Sequence, residues 1–177
     1  DCARQGGIES KLIYMEDIGI DIEGRFTDLQ DEPITDLFKL YPWEWIMTDE
    51  FGKNVPNTNT RFIEPGWKSL LSNKGLLPLL WEMFEGHPNL LPAYFEGDPA
   101  SAALGGNYVR KPLFSREGAN VEVFEDAECI LKVEGDYGAE GFILQAYHPL
   151  PEFAGNYPMV GSWLVASRPA GIGIRED

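Results

Sequence analysis

The sequence predicts an α+β chain built from antiparallel β-sheets with flanking helices, and three observations carry that prediction. Short runs rich in β-branched and aromatic residues recur along the chain, bounded by clusters of Gly, Pro, Asn and Asp, which is the pattern of strands joined by tight turns. One segment, residues 64–84, has the sustained apolar density of helix. Apolar residues make up 44% and aromatic residues 12% of the 177, which argues against disorder, and the length favours one domain with a real core.

Charge narrows the classes of partner. With 14 Lys and Arg against 29 Asp and Glu, the formal charge is −15, and neither nucleic acid nor an anionic membrane finds the basic face it needs. Thirteen acidic residues lie in the first fifty positions against four basic ones, which fits either a cationic amine partner or a solvated acidic face. Cys2 and Cys129 have no metal-type spacing and make no disulfide framework. The N-terminal DCARQGG is not a signal peptide and no run approaches the ~20 apolar residues of a membrane span, so a cytoplasmic location is expected. The sequence does not begin with Met and stops at GIGIRED directly after an apolar strand pattern; a piece of a longer protein, and an incomplete domain, is expected.

In chain order, Lys11–Ile22 and Arg25–Asp28 read as strand, turn and strand. Pro33–Asp36 reads as a helix start, leading into an aromatic-rich helix through Trp43, Trp45 and Ile46, bent near Pro42. These aromatics are core or, around Glu44, a ligand wall. Residues 51–60 form a loop. Glu64–Phe84 reads as two helices separated by Ser72-Asn73-Lys74-Gly75. Lys74 then sits just ahead of the second helix, where a cation beside a helix N-terminus attracts an anion; a surface turn lysine is the plain alternative. Asn89–Phe95 reads as a strand and 97–106 as a small-residue loop. Asp126–Cys129 is a turn or short helix, and 130–133 extends the strand set. Gly141–Tyr147 is a buried strand with one amide, Gln145, near its exit, suited to a flat heteroaromatic ring or simply a core strand reaching the surface. Met159–Ala166 and Ala170–Arg175 form two strands around a Ser-Arg-Pro turn.

The most informative stretch is Asn107–Val121, NYVRKPLFSREGANV. It reads as a hairpin with a polar Gly loop at Ser115–Gly118, and it gathers Arg110, Lys111 and Arg116 within seven residues of a chain short of cations. An ammonium, a guanidinium fork and unobstructed backbone N–H groups suit a polyphosphate ligand, although an ordinary charged hairpin has the same composition. Gly-x-Ser-x-Gly and the P-loop are absent, and His87 and His148, both before Pro, have no zinc or triad spacing.

The strings LYPWEW (40–45), RFIEPGWKSLLSNKGLLPLLWEMF (61–84), YVRKPLFSREGANV (108–121), LPEFAGNYPMVGSWLV (150–165) and AGIGIRED (170–177) closely resemble the glutathionylspermidine synthase-like family of ATP-dependent acid–amine ligases, over nearly the whole chain. The resemblance implies an ATP-grasp-like fold, of which this chain is the C-terminal portion of the synthetase domain, with a substrate-side segment over 1–60 and a nucleotide-binding segment over 61–177. It implies that Lys74 and Lys111 contact the phosphates of ATP and that Gly118 belongs to the loop covering them. By the same resemblance the strand Gln145, Ala146, Tyr147 would meet the adenine, Arg116 and Arg175 would face the phosphate or acyl end, and LYPWEW would wall the acid substrate. The implied partners are a small carboxylate of glutathione type and an amine of polyamine type. Mg2+ is implied as well, but the family's metal-binding Asp, Glu and Asn lie upstream of anything that aligns here, so no metal ligand is assigned. A catalytically inactive ATP-binding module of the same fold is the alternative.

Overall fold

Two units divide the chain, Asp1–Leu76 and Leu77–Asp177, in a computed structural model that describes residues 2–176. In the first unit, α1 (Cys2–Gln5) is a single helical turn. β1 (Gly19–Ile20) and β2 (Phe26–Thr27) pair antiparallel with Ile20 opposite Phe26, a shortened form of the expected strand, turn and strand. Asp21 builds the turn. Its Oδ1 accepts the backbone N–H groups of Glu23 and Arg25, each at 2.9 Å, and its Oδ2 accepts from Arg25 Nε at 2.7 Å. Gly24 turns the corner at φ +79°, where a side chain is disfavoured.

These bonds favour the ionised carboxylate, so Asp21 titrates below the ordinary aspartate range, chiefly through the Arg25 backbone N–H. The Lys11 ammonium, bonded to Asp28, does the same there. A carboxylate whose folded pKa is depressed stabilises above its unfolded pKa, and the contribution disappears as pH falls through the folded value. The urea midpoint is therefore expected to drop below about pH 4, and Asp21→Asn to flatten that acid limb. An acid limb unchanged by the substitution contradicts this account.

The helix expected to begin at Pro33–Asp36 does not form. Instead β3 (Asp36–Phe38) runs parallel to β4 (Arg61–Ile63), with Leu37 opposite Phe62. The connection between them is long enough for a parallel crossover. Backbone partners 25 residues away and the Asp36–Arg61 ion pair override the local helix signals. This pair is also the exception to the antiparallel expectation. Helix begins only after Pro42, at α2 (Trp43–Ile46). Only part of the aromatic load is core: Trp43 and Ile46 are buried with Phe26, whereas Trp45 is 39% exposed, and the Phe62 ring lies 5.9 Å from Phe26 and 5.1 Å from Trp43. α3 (Ser69–Ser72) and α4 (Leu76–Met83) flank the Asn73–Gly75 turn, in which Asn73 Oδ1 accepts the Gly75 N–H at 2.8 Å.

The second unit carries a five-stranded antiparallel sheet. Its strands are β5 (Ala93–Phe95), β6 (Tyr108–Pro112), β7 (Glu122–Glu125), β8 (Glu128–Lys132) and β9 (Phe142–Ala146), in spatial order β5-β9-β6-β7-β8. The hairpin expected around Asn107–Val121 is β6–β7, with Arg110 opposite Glu122. The β7–β8 turn places Asp126 and Ala127 at φ 49° and 67°, the left-handed pair that a two-residue hairpin demands. β10 (Pro158–Val165) and β11 (Arg168–Glu176) form a separate exposed hairpin. Its turn centres on Ala166–Ser167, both at positive φ.

Candidate functional site

Alternation along paired strands sorts the sheet's side chains into two faces. Register puts Ala93, Val109, Lys111, Val123, Ile143 and Gln145 on one face, and Tyr94, Arg110, Glu122, Phe124, Phe142 and Leu144 on the other. The first face is the drier: Ala93, Val123, Ile143 and Gln145 are all buried. Two polar side chains meet there. Lys111 Nζ donates to Gln145 Oε1 at 2.7 Å. Lysine has only donors, so the amide oxygen must face it, which turns the two Nε2–H donors of Gln145 the other way.

Arg110, which the sequence groups with Lys111 and Arg116, is turned to the opposite face. Its Nε and second terminal nitrogen fork onto the two oxygens of Glu96 at 2.6 and 3.2 Å, and its other terminal nitrogen reaches Glu122 at 3.3 Å. The guanidinium carbon lies 3.4 Å from the centroid of the Phe142 ring. Glu96 is the main cause of a pKa above the ordinary arginine range. On the far side of Glu122, Lys132 pairs with it at 3.3 Å.

The loop after β6 is built as a ligand loop or a plain turn could be. Arg116, Glu117 and Gly118 are exposed, and Gly118 stands at φ +76° with open space around an added Cβ. The loop's return is pinned by Asn120, whose Nδ2 donates to the Gly135 carbonyl at 2.7 Å and whose Oδ1 accepts the Tyr137 N–H at 2.8 Å. At the exit of β9, the Ala146 N–H donates to the Pro92 carbonyl and the Tyr147 N–H to that of Asn107, at 2.8 and 3.1 Å. A ring meeting this end therefore meets side chains and acceptors, because both N–H groups are already used. Arg175 lies opposite Met159 on the exposed β10–β11 hairpin. Lys74 belongs to the first unit, in the turn ahead of α4.

The first unit holds a cavity of about 290 Å³, walled by Phe26, Leu37, Ile46, Phe51 and Phe62, with Lys39 among its lining. The Lys39 side chain is only 4% exposed. Its ammonium donates to the Tyr41 carbonyl at 3.1 Å and to Glu64 at 3.3 Å, and lies 4.8 Å from the Trp43 ring centroid. Sequence reading passed over this residue, because a lysine in LFKLYP looks like the polar face of a helix. Glu44 accepts from Ser72 Oγ at 3.3 Å. Among the described residues no group of three or more His, Cys, Asp or Glu is arranged to hold a metal ion, and no helix is long and apolar enough to cross a membrane.

Comparison with known proteins adds three relatives. The Haemophilus influenzae protein named "Putative acid--amine ligase" is 44% identical over 100% of this chain and 47% of its own length. Trypanothione synthetase of Crithidia fasciculata is 29% identical over 97% of the chain and 30% of its own. The bifunctional glutathionylspermidine synthetase/amidase of Escherichia coli is 26% identical over 98% and 32%. The chain thus spans between about a third and about half of the length of these three relatives. A family model described as glutathionylspermidine synthase preATP-grasp matches residues 1–177.

Proposed function

The chain belongs to the glutathionylspermidine synthase preATP-grasp family, and from that premise we propose that it carries the nucleotide-binding part of an ATP-dependent acid–amine ligase with an ATP-grasp-like fold. The observation that carries the reading is the Lys111–Gln145 pair on the buried face of the sheet. It sets an ammonium beside an amide at the mouth of a glycine loop, the donor set that a nucleotide requires. In this reading the base lies against the Gln145, Ala146 and Tyr147 strand and Lys111 serves the phosphates. Lys74 and the Gly118 loop would serve the phosphate tail. Arg116 and Arg175 would face the transferring phosphoryl or acyl group, and LYPWEW would wall the acid substrate.

The reaction joins a carboxylate to an amine. A carboxylate oxygen of the acid attacks the γ-phosphorus of ATP, the bond to the β-phosphate oxygen breaks, and ADP leaves. The amine nitrogen then attacks the acyl carbon of the acyl phosphate, inorganic phosphate departs, and the nitrogen sheds a proton as the amide forms. Negative charge grows first on the phosphoryl oxygens and then on the tetrahedral oxygen, so cations fixed in advance stabilise both steps. The described residues do not offer a donor set for Mg2+, and no step is assigned to it. Small carboxylate and amine substrates, of glutathione and polyamine type, are the partners this reading implies.

The test is ADP release by the full-length parent polypeptide. Release that requires added acid, with amide formed only when amine is also present, is expected, and hydroxylamine should intercept the acyl phosphate as a hydroxamate. ATP binding without acid-dependent ADP release in the full-length protein would identify an inactive ATP-binding module instead.

A further inference from the structure

One face of the five-stranded sheet carries a polar rung running from the end of β5 across β9, β6 and β7 to β8, and its centre is Arg110, one of the three clustered cations. Glu96 directly follows β5, and its own N–H donates to the Phe142 carbonyl of β9 at 3.1 Å. Phe142 lies under the Arg110 guanidinium of β6. Arg110 bonds Glu96 through two nitrogens and Glu122 of β7 through the third, and Glu122 in turn pairs with Lys132 of β8. All three guanidinium nitrogens are thus engaged, with the side chain 25% exposed. Swinging Arg110 out to a phosphate would take the fork from Glu96, leave Glu122 with Lys132 alone and uncover an aromatic ring.

The next residue in the chain, Lys111, points to the opposite face. Clamping Arg110 to both neighbouring sides fixes the twist and register of β6, and hence where the Lys111 stem leaves the sheet toward Gln145. We infer that Arg110 is a positioning residue: held by Glu96, Glu122 and the Phe142 ring on one face, it sets the place of Lys111 on the other for a nucleotide phosphate. The inference rests on the nucleotide reading of Lys111 given above.

The experiment is a double-mutant cycle in the full-length parent polypeptide, with ATP affinity measured by calorimetry for the wild type, Arg110→Met, Lys111→Met and the double variant, and folding checked by circular dichroism. Arg110→Met is expected to weaken ATP about tenfold with Lys111 present and to change nothing further in the Lys111→Met background, the signature of one residue acting through the other. A merely structural role lowers the melting temperature without making the ATP loss depend on Lys111. The same fold-loss in both backgrounds, or no loss on Arg110→Met while Lys111→Met weakens ATP, overturns the inference. Unaltered or absent ATP binding in wild type and Lys111→Met alike defeats the nucleotide reading, and the inference with it. Should Arg110→Met fail to fold, Glu96→Gln keeps the shape of the rung and a neutral hydrogen bond. A loss of about threefold is then expected, again only with Lys111 present.

Discussion

Ile143→Ala is expected to cost the second unit about 3–4 kcal/mol, within the range for truncating a fully buried aliphatic side chain. Ile143 is 0% exposed and sits in β9, which pairs with β5 on one side and β6 on the other, opposite Phe95 and Lys111 respectively. Removing three carbons loses their transfer free energy and leaves a void that two flanking strands, hydrogen-bonded along their length, cannot close. Against the ~5–15 kcal/mol that holds an ordinary domain together, this is a large share. Urea unfolding followed by circular dichroism checks it. Val123→Ala, on the same face but deleting less, should cost clearly less, and an Ile143→Ala loss under about 1 kcal/mol would mean that β9 is not the centre of the core.

Lys111→Met in the full-length parent is expected to reduce kcat by about 10²–10³, by analogy with removing one fixed donor from a developing negative charge. Methionine keeps the length and apolar stem, so the protein should stay folded while the ammonium is lost. Arg116→Met and Arg175→Met test the acyl-end role proposed for them in the same way. A split in which Lys111→Met raises the KM for ATP and leaves kcat untouched would limit its role to uniform binding. Gly118→Ala separates loop conformation from space. No protein atom lies within 4 Å of the added Cβ, so a loss of stability of about 1 kcal/mol should come from its positive φ alone.

How far the fold could be read depended on how local its causes are. The turn at 126–127 follows from short-range chemistry, and β6, β7 and β9 fall close to where periodicity puts them, whereas Glu128–Cys129 and Arg168–Pro169, read as turn, belong to β8 and β11, whose cross-strand pairing sets their ends. β3 was misread as helix because its reason for being a strand is Arg61–Ile63, whose pairing leaves no mark in residues 33–38. The Arg110 rung was illegible for a similar reason, since Glu96 and Glu122 stand 14 and 12 residues away and only the register brings them to one face. Alternation along β6 is the one signal that separates Arg110 from Lys111. Lys39 hid in an apolar run whose strand character was missed. Lys111 and Gln145, 34 residues apart, are assigned by the family resemblance to separate ends of one nucleotide, and their contact leaves no mark in either local sequence.

The central claim is that ATP occupies the sheet face where Lys111 meets Gln145, and the side-chain amide of Gln145 reports on it directly. Titrating the full-length parent with ATP, the account predicts a saturable shift of the Gln145 amide resonances that disappears in Lys111→Met while the rest of the sheet's spectrum is retained. Saturable ATP binding that leaves the Gln145 resonances unmoved, or a shift that persists without the Lys111 ammonium, would contradict it.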